Sequence, residues 1–375
     1  MSSEPHWKDD MTGAQSAGYK SPLHQMTQTT PTCLWNDSAS VEELKYSIEH
    51  GAVGATCNPV IVLGVLKKEL PTWKARIREL IGELPTATED EIAWRLVREI
   101  SIRAARVLEP IFREQKGRNG RLSIQTDPRL FRDSQAILKQ TIEFSKLTPN
   151  IIVKIPATSA GIPAIEEATY HGVSVNATVS FTVSQAIAVA EAVERGLKRR
   201  EREGQEIATM GPVCTIMVGR LDDWLKVLVE KNSVSIDPGY LEWAGVAVVK
   251  KAYRIFRERG YRTRLLSAAF RNHMHWSEFI GAEMVISPPH SWQVRFNGSD
   301  VEVRNRINEP VREEIENELS RKFEDYRRAS TESGLSIAEF DSFGPTRRTL
   351  RQFITACHDL DAVVRDVLIP DPDLA

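Results

Sequence analysis

The stretch NIIVKIPATSAGIPAIEEATYHGVSVNAT, residues 150–178, contains a short apolar strand, an amphipathic helix and a second strand. The first strand, 150–155, is stopped by Pro156, the helical spacing covers 160–170, and the second strand covers 172–178. A strand, a helix and a strand in this order are typical of a parallel βαβ unit. How often the unit recurs along the chain decides between a barrel and an open sheet.

The same alternation recurs along most of the chain. Further strands are predicted at 32–35, 54–57, 121–126, 213–218, 263–270 and 283–287. Further helices are predicted at 41–50, 61–82, 88–115, 131–146, 181–202, 237–258, 275–281, 309–330 and 345–368. Eight strands, each followed by helical sequence, predict an α/β fold, a parallel (β/α)8 TIM barrel. An open doubly wound sheet is the alternative, but it requires a Gly-rich phosphate loop where the first turn reads NDSASVEEL.

The composition is that of a globular protein with a large core, since 41% of the 375 residues are hydrophobic and 27% are charged. Residues 1–30 are rich in Ser, Thr, Gln and Gly and are predicted to be a flexible tail. Residues 31–375 are predicted to form a single barrel domain that includes a C-terminal helical extension.

Charge and hydropathy exclude several classes of partner. A net charge of −2 provides no global attraction to nucleic acid, and no apolar run is long enough to span a membrane. The N-terminus has no apolar signal core. We therefore expect a cytoplasmic protein with no nucleic-acid or membrane partner, and whether it forms a homo-oligomer is left open.

No metal site is predicted. The four cysteines are widely separated, without CxxC or zinc spacing. His273 and His275 form a weak pattern, because no carboxylate partner is evident from the sequence. We expect neither a metal nor a cofactor.

Polar residues collect at the C-terminal ends of the predicted strands, which is where the active sites of such barrels lie. These residues are Asp37, Thr56, Asn58, Gln125, Lys154, Asn176, Thr178, Thr215, Arg220 and Arg271. Thr56 and Asn58 are two residues apart, as are Asn176 and Thr178, so each pair shares a face of its strand. The pattern predicts one polar site at the mouth of the barrel.

Lys154 is the most informative of these residues. It lies within the apolar run IIVKIP, where loss of water lowers the pKa of an amine and makes it a nucleophile for carbonyl carbon. The alternative is a lysine that reaches water at a strand edge or takes part in a structural ion pair. The polar residues on the neighbouring strands favour the nucleophile.

The other residues also have two interpretations. Asp37 is a general acid/base or a helix N-cap, although Ser38 and Ser40 can provide the cap instead. Asn58 and Asn176 bind hydroxyl groups of a polyol or hydrogen-bond loop backbone. The two arginines, Arg220 and Arg271, grip a phosphate or form surface ion pairs.

The segments that carry these residues resemble the transaldolase family. They are NDSASVEEL, GATCNP, SIQTDPRLFRD, NIIVKIPATSAGIPAIE, GVSVNATVSF, IMVGRLDDW and SAAFRNHMHW, in family order over residues 32–290. The resemblance implies a metal-free barrel enzyme in which Lys154 forms a Schiff base with the C2 carbonyl of a ketose. It also implies that Asp37 handles the proton of the C4 hydroxyl while the C3–C4 bond breaks.

The resemblance implies the remaining roles as well. Asn58 and Asn176 are expected to bind hydroxyls of the dihydroxyacetone unit, with Thr56 and Thr215 beside them in the substrate site. Thr215 stands where the family more often has serine. Thr178 is expected to help place a catalytic water, and Arg220 and Arg271 to bind the substrate phosphate.

Two positions depart from the family pattern. Transaldolases commonly have a glutamate where this chain has Gln125, and glutamine can hold the relay water but cannot ionise. Relatives that resemble fructose-6-phosphate aldolase have glutamine there. Ala269 stands where the family often has a phosphate-binding serine, so a lower phosphate affinity is expected.

The function predicted from the resemblance is a transferase of the pentose phosphate shunt. It moves a dihydroxyacetone unit from sedoheptulose 7-phosphate to glyceraldehyde 3-phosphate. One alternative is an aldolase that releases free dihydroxyacetone. Another is a barrel without catalytic activity that binds sugar phosphates or a protein partner.

Overall fold

The computed structural model of the protein describes residues 18–374. Eight parallel strands form one closed barrel in chain order, and the last strand, Val285–Ile286, pairs with the first, Cys33–Asn36. The predicted (β/α)8 barrel is therefore confirmed. Because all strands run in the same direction, their C-terminal ends surround a single mouth.

The strands are β1 Cys33–Asn36, β2 Ala52–Thr56, β3 Arg121–Gln125, β4 Ile151–Pro156, β5 Val175–Ser180, β6 Val213–Met217, β7 Arg264–Ala268 and β8 Val285–Ile286. The helices are α1 Pro22–Thr29, α2 Val41–Glu49, α3 Pro59–Lys68, α4 Leu70–Glu83, α5 Glu89–Glu114, α6 Ser134–Ser145, α7 Gly161–Tyr170, α8 Val183–Arg202, α9 Val218–Asn232, α10 Pro238–Leu241, α11 Ala244–Arg259, α12 Met274–Ser277, α13 His290–Asn297, α14 Glu313–Lys322, α15 Glu324–Ser330 and α16 Gly344–Leu368.

Burial on both sides explains the apolar strands of the barrel wall. Every residue of β4 and β5 is buried, because helices cover the outside and side chains fill the inside. Side chains cap two of the helices that begin at the mouth, α3 and α8. Asn58 accepts a hydrogen bond from the N–H of Ile61 at 3.0 Å, and Thr182 accepts one from the N–H of Gln185 at 3.0 Å. These two caps fix where α3 and α8 begin after β2 and β5.

Part of the segment predicted to be a flexible tail is a helix, and this part of the prediction is wrong. Leu23 and Met26 of α1 are fully buried, and the indole N–H of Trp276 donates to the Met26 sulfur at 3.2 Å. The polar composition masked two apolar residues at helical spacing. The predicted tail at 1–17 lies outside the described residues, and the single domain at 31–375 stays a prediction.

Besides α1, two helices were not expected from the sequence pattern, α9 after β6 and α13 after β8. The run VCTIMV was expected to be all strand, but the strand ends at Met217 and Val218 begins α9. Arg220 therefore lies in the first turn of a helix. Each of the predicted helices 61–82, 237–258 and 309–330 is divided into two.

The C-terminal extension packs against one side of the mouth. Helix α16 contacts α3, α5 and β5 through a buried face that includes Leu350 and Phe353. Just before α16, Asp341 accepts hydrogen bonds from the backbone N–H and hydroxyl of Ser159, at 2.8 and 2.5 Å. Ser159 follows β4, so the extension is attached next to the strand that carries Lys154. Every helix within residues 18–374 is too short or too polar to cross a bilayer.

Candidate active site

Lys154 lies inside the barrel, with only 3% of its surface exposed. In the strand register it stands level with Gln125 of β3 and Asn176 of β5. Burial lowers the pKa of its amine, and the negative charge of Asp37 opposes this decrease. Burial also raises the pKa of the neighbouring Cys57 to about 12, so this thiol stays neutral. A buried amine with a lowered pKa has the property that sequence reasoning assigned to a nucleophile.

Asp37 follows β1 and shares its electrostatic environment with Lys154. Burial raises the pKa of its carboxyl, and the positive charge of Lys154 opposes this increase. Thr56 donates a hydrogen bond to the carboxylate at 2.5 Å, and the Thr56 hydroxyl lies 3.1 Å from that of Ser287. Ser40 is the N-cap residue of α2, which has no side-chain cap from residues 18–374, and the Ser38 hydroxyl accepts the N–H of Ser40. Asp37 is therefore available for proton transfer.

Asn176 of β5 is oriented by side chains of two other strands, β3 and β6. Its amide Nδ2 donates to the Ser123 hydroxyl at 3.1 Å, and its Oδ1 accepts from the Thr215 hydroxyl at 2.8 Å. All three residues are fully buried. One amide hydrogen and one oxygen lone pair of Asn176 remain for a ligand. Thr215 thus lies behind Asn176 and sets its orientation.

Gln125 and Thr178 are the other buried polar groups near Lys154. The Oε1 atom of Gln125 is buried and accepts no hydrogen bond from residues 18–374. Leaving a buried acceptor unpaired costs about 1–3 kcal/mol, which favours a site that a donor completes. The Thr178 hydroxyl is fully buried and directed at the Met217 sulfur, 3.9 Å away.

The two polar residues of the second strand already have partners within the protein. The side-chain oxygen Oδ1 of Asn58 caps α3, which leaves the Nδ2 group of the same side chain for a ligand. Thr56 donates to Asp37 and so positions the carboxylate. Their predicted contacts with substrate stay predictions.

Arg220 lies near the later strands of the barrel, in the first turn of α9. Burial, together with the positive charge of Arg271, lowers the pKa of its guanidinium to about 10. One nitrogen donates to Gln352 of α16, while the buried Nε has no partner within residues 18–374. A half-buried guanidinium with an unpaired N–H is suited to bind an anion.

Arg271 follows β7 and has both a surface ion pair and a neighbouring arginine. Its Nη2 and Nε lie 2.7 and 3.0 Å from the two oxygens of Asp223, and its Nη1 donates to the carbonyl of Phe270 at 2.9 Å. The predicted alternative of an ion pair is thus present. Ala269, where the family often has serine, takes a left-handed backbone conformation with φ of 65° and presents only a methyl group and its carbonyl.

Sequence reasoning missed four residues that orient the predicted ones, namely Ser123, Ser287, Asp223 and Gln352. A signal existed for Ser123, which precedes Gln125 by two residues on the same face of β3. No local pattern points to Gln352, because it reaches Arg220 from a helix 132 residues further along the chain.

The carboxylate partner that the sequence did not reveal for His275 is Asp222, whose Oδ2 lies 2.9 Å from Nε2. Within residues 18–374, no three His, Cys, Asp or Glu side chains are grouped in a way that could hold a metal ion.

A protein-family model described as transaldolase/fructose-6-phosphate aldolase matches residues 34–341. The transaldolase of Thermobifida fusca (strain YX) is 33% identical over 247 residues, which are 64% of this chain and 66% of that protein. The transaldolase of Mycobacterium tuberculosis (strain H37Rv) is 32% identical over 209 residues, 55% of each chain. This chain therefore spans between 55% and 66% of the length of these relatives.

Proposed function

Because the chain belongs to the transaldolase/fructose-6-phosphate aldolase family, we propose that it is a transaldolase that works through a Schiff base on Lys154. It transfers a dihydroxyacetone unit from sedoheptulose 7-phosphate to glyceraldehyde 3-phosphate. The observation that carries the proposal is the Lys154 amine, which is buried inside the barrel at the level of Gln125 and Asn176 and whose charge acts on the Asp37 carboxyl. A lowered pKa leaves more of the amine neutral and so nucleophilic, and a raised pKa makes the carboxylate a better base for a hydroxyl proton.

The first step is attack of the neutral Lys154 amine on the C2 carbonyl of the donor. Uptake of one proton from solvent and loss of water then leave a protonated imine, which withdraws electrons from the C3–C4 bond. Asp37 takes the proton of the C4 hydroxyl as this bond breaks, and the aldehyde leaves. The remaining enamine attacks the acceptor aldehyde, Asp37 returns the proton to the new hydroxyl, and water hydrolyses the imine to free Lys154.

The amide groups of the mouth hold the three-carbon unit between the two half-reactions. Asn176, oriented by Ser123 and Thr215, offers one donor and one acceptor beside Lys154. The free Nδ2 of Asn58 offers a second donor for a hydroxyl. Gln125 and Thr178 orient the water that takes part in making and hydrolysing the imine.

The arginine end of the mouth binds the phosphate group. The positive charge of Arg271 disfavours the charge of the Arg220 guanidinium. A bound phosphate dianion relieves this repulsion and accepts several charge-assisted hydrogen bonds.

The aldolase alternative is favoured by one observation, Gln125. A glutamine cannot return a proton to the water that it orients, so the enamine is more prone to be protonated from elsewhere and lost as free dihydroxyacetone. No observation favours a barrel without activity, because a protein that only binds sugar phosphates does not need a buried amine whose charge acts on a carboxyl.

Borohydride trapping with fructose 6-phosphate tests the imine. We expect the mass of the protein to rise by one reduced adduct, located at Lys154, and Lys154→Met to show no increase. Absence of the adduct from the wild type contradicts both enzyme assignments. Product analysis with and without glyceraldehyde 3-phosphate then distinguishes transfer from release of dihydroxyacetone.

A further inference from the structure

A fully buried pair of ionisable side chains lies behind the arginine end of the mouth, outside the catalytic steps above. His275 of α12 and Asp222 of α9 are both completely buried, and His275 Nε2 lies 2.9 Å from Asp222 Oδ2. A buried pair of this kind adds little stability compared with apolar residues of similar volume. A contribution to stability therefore does not explain why an ionisable pair is buried at this position.

The hydrogen bonds of the pair define the histidine tautomer. The backbone N–H of Arg271 donates to His275 Nδ1 at 3.1 Å, so the ring proton is on Nε2 and is donated to Asp222. The other carboxylate oxygen of Asp222 accepts the N–H of Gly245 at 2.8 Å. The pair thus connects three segments: the first turns of α9 and α11 and the loop after β7.

The same turn of α9 carries both groups that hold Arg271. Asp223 holds the guanidinium directly, and Asp222 holds the backbone N–H through His275. The contact between the turn and the loop is close, because a Cβ atom on Gly219 would lie 2.2 Å from the carbonyl oxygen of Ala269. Arg220 follows Gly219, so the pair determines how the two arginines stand relative to each other.

We propose that Asp222 and His275 are positioning residues that align Arg271 with Arg220 and so set the preference of the enzyme for phosphorylated substrates. This inference rests on the proposed phosphate-binding role of the two arginines. It assigns a function to a pair that contacts neither the substrate nor Lys154.

Asp222→Asn tests the proposal with no change in volume. To keep accepting the N–H of Gly245, the asparagine must turn its Nδ2 toward His275. The histidine proton then moves to Nδ1, where it faces the N–H of Arg271, and that hydrogen bond is lost. We expect the KM for fructose 6-phosphate to rise about tenfold, the loss of one hydrogen bond, while kcat/KM for unphosphorylated fructose changes less than about twofold.

Three further variants and one titration complete the test. His275→Asn, which retains an acceptor near the Arg271 N–H, should raise the KM by less, and the exposed His273→Asn is the matched control and should leave it unchanged. The double variant of Asp222 and His275 should be no worse than Asp222→Asn, because the two act as a unit. In the wild type, titration with inorganic phosphate should shift the ring-nitrogen NMR signals of His275, and this measurement needs no folded variant.

The proposal is overturned if Asp222→Asn raises the KM equally for both donors, or lowers the unfolding temperature without raising the KM. It is also overturned if phosphate inhibits the wild type but leaves the His275 signals unshifted. Failure of the proposed function is distinguishable from these outcomes. In that case the wild type traps no fructose 6-phosphate, and the variants have no activity to compare.

Discussion

Lys154 and Arg271 lie at the two ends of the barrel mouth and are held in opposite ways. At one end, burial shifts the pKa values of Lys154 and Asp37 toward neutrality, and side chains of other strands orient Asn176. At the other end, the Arg271 side chain is 35% exposed and paired with Asp223. An amine must lose its proton to attack a carbonyl, whereas a phosphate is held by charge that persists. The difference in burial therefore matches the difference in proposed roles.

The contrast predicts its largest effect at Lys154. Lys154→Met keeps the length of the side chain and removes the amine, so we expect activity to fall by ~10³-fold or more and borohydride trapping to disappear. Circular dichroism and the unfolding temperature serve as controls for the fold. A Met variant that still traps substrate would place the nucleophile on another residue.

Asp37→Asn should separate imine formation from bond cleavage. The amide occupies the same space and still accepts from Thr56, but it cannot take the C4 hydroxyl proton, so we expect kcat to fall by about 10²–10⁴-fold. Trapping with fructose 6-phosphate should persist, because Lys154 is intact. Equal loss of trapping and turnover would mean that Asp37 acts earlier, on the protonation of Lys154 itself.

The arginine end should affect binding rather than chemistry. Arg220→Ala and Arg271→Ala each remove charge-assisted hydrogen bonds, so we expect the KM for phosphorylated donors to rise by ~10–100-fold. Steady-state kinetics with fructose 6-phosphate and with unphosphorylated fructose measure how far each variant changes the KM for the two donors. Similar effects on both donors would show that these arginines act only as structural ion-pair partners.

Stability should respond to pH in a way that depends on Lys154. Its pKa is lower in the folded protein than in the unfolded chain, so the unfolded chain binds the proton more readily and the folded state is penalised at low pH. Lys154→Met removes this penalty. Its stability gain should be largest below the folded pKa and disappear as the pH rises toward the usual lysine range, ~10.4. Urea unfolding of both proteins at pH 7 and pH 10 measures it, and a variant less stable at pH 7 would indicate a charged, paired lysine.

The barrel was predictable because its pattern is repeated and local. Eight apolar runs ended by polar residues or proline place the strands, and the rule that barrels react at strand C-termini places Lys154, Asp37 and Asn176 together. The errors occurred where tertiary packing overrides composition. Helix α1 is polar apart from Leu23 and Met26, and its order depends on contacts such as that with Trp276.

The partners of the site residues were harder to predict than the residues themselves. Ser287, Gln352 and Asp222 are distant in sequence from the groups that they orient, so no local spacing reveals them. His275 shows the consequence. Its carboxylate partner lies 53 residues away, and the sequence therefore contained a histidine pattern with no visible function.

The smallest expected effect concerns Gln125, which is level with Lys154 yet belongs to neither kind of environment. Gln125 is buried like Lys154, but it does not ionise, and its Oε1 has no partner within residues 18–374. A carboxylate there could pass protons through the bound water, a role that contributes about 10²-fold in favourable cases. We expect a smaller gain from Gln125→Glu, because burial and the nearby Asp37 favour the neutral acid.

Gln125→Glu should therefore raise kcat for transfer several-fold and reduce release of free dihydroxyacetone, with a gain that grows as the pH rises and the new carboxyl ionises. Gln125→Met, which keeps the volume but offers no acceptor for water, is the matched control and should slow transfer. The measurement is the ratio of transfer to dihydroxyacetone release for all three proteins across pH 6–9. A wild type that transfers quickly without release, and that Gln125→Glu only slows, would mean that proton transfer here runs entirely through Asp37 and the substrate. Gln125, which carries no charge, would then be one of the uncharged groups around Lys154 that favour its neutral amine.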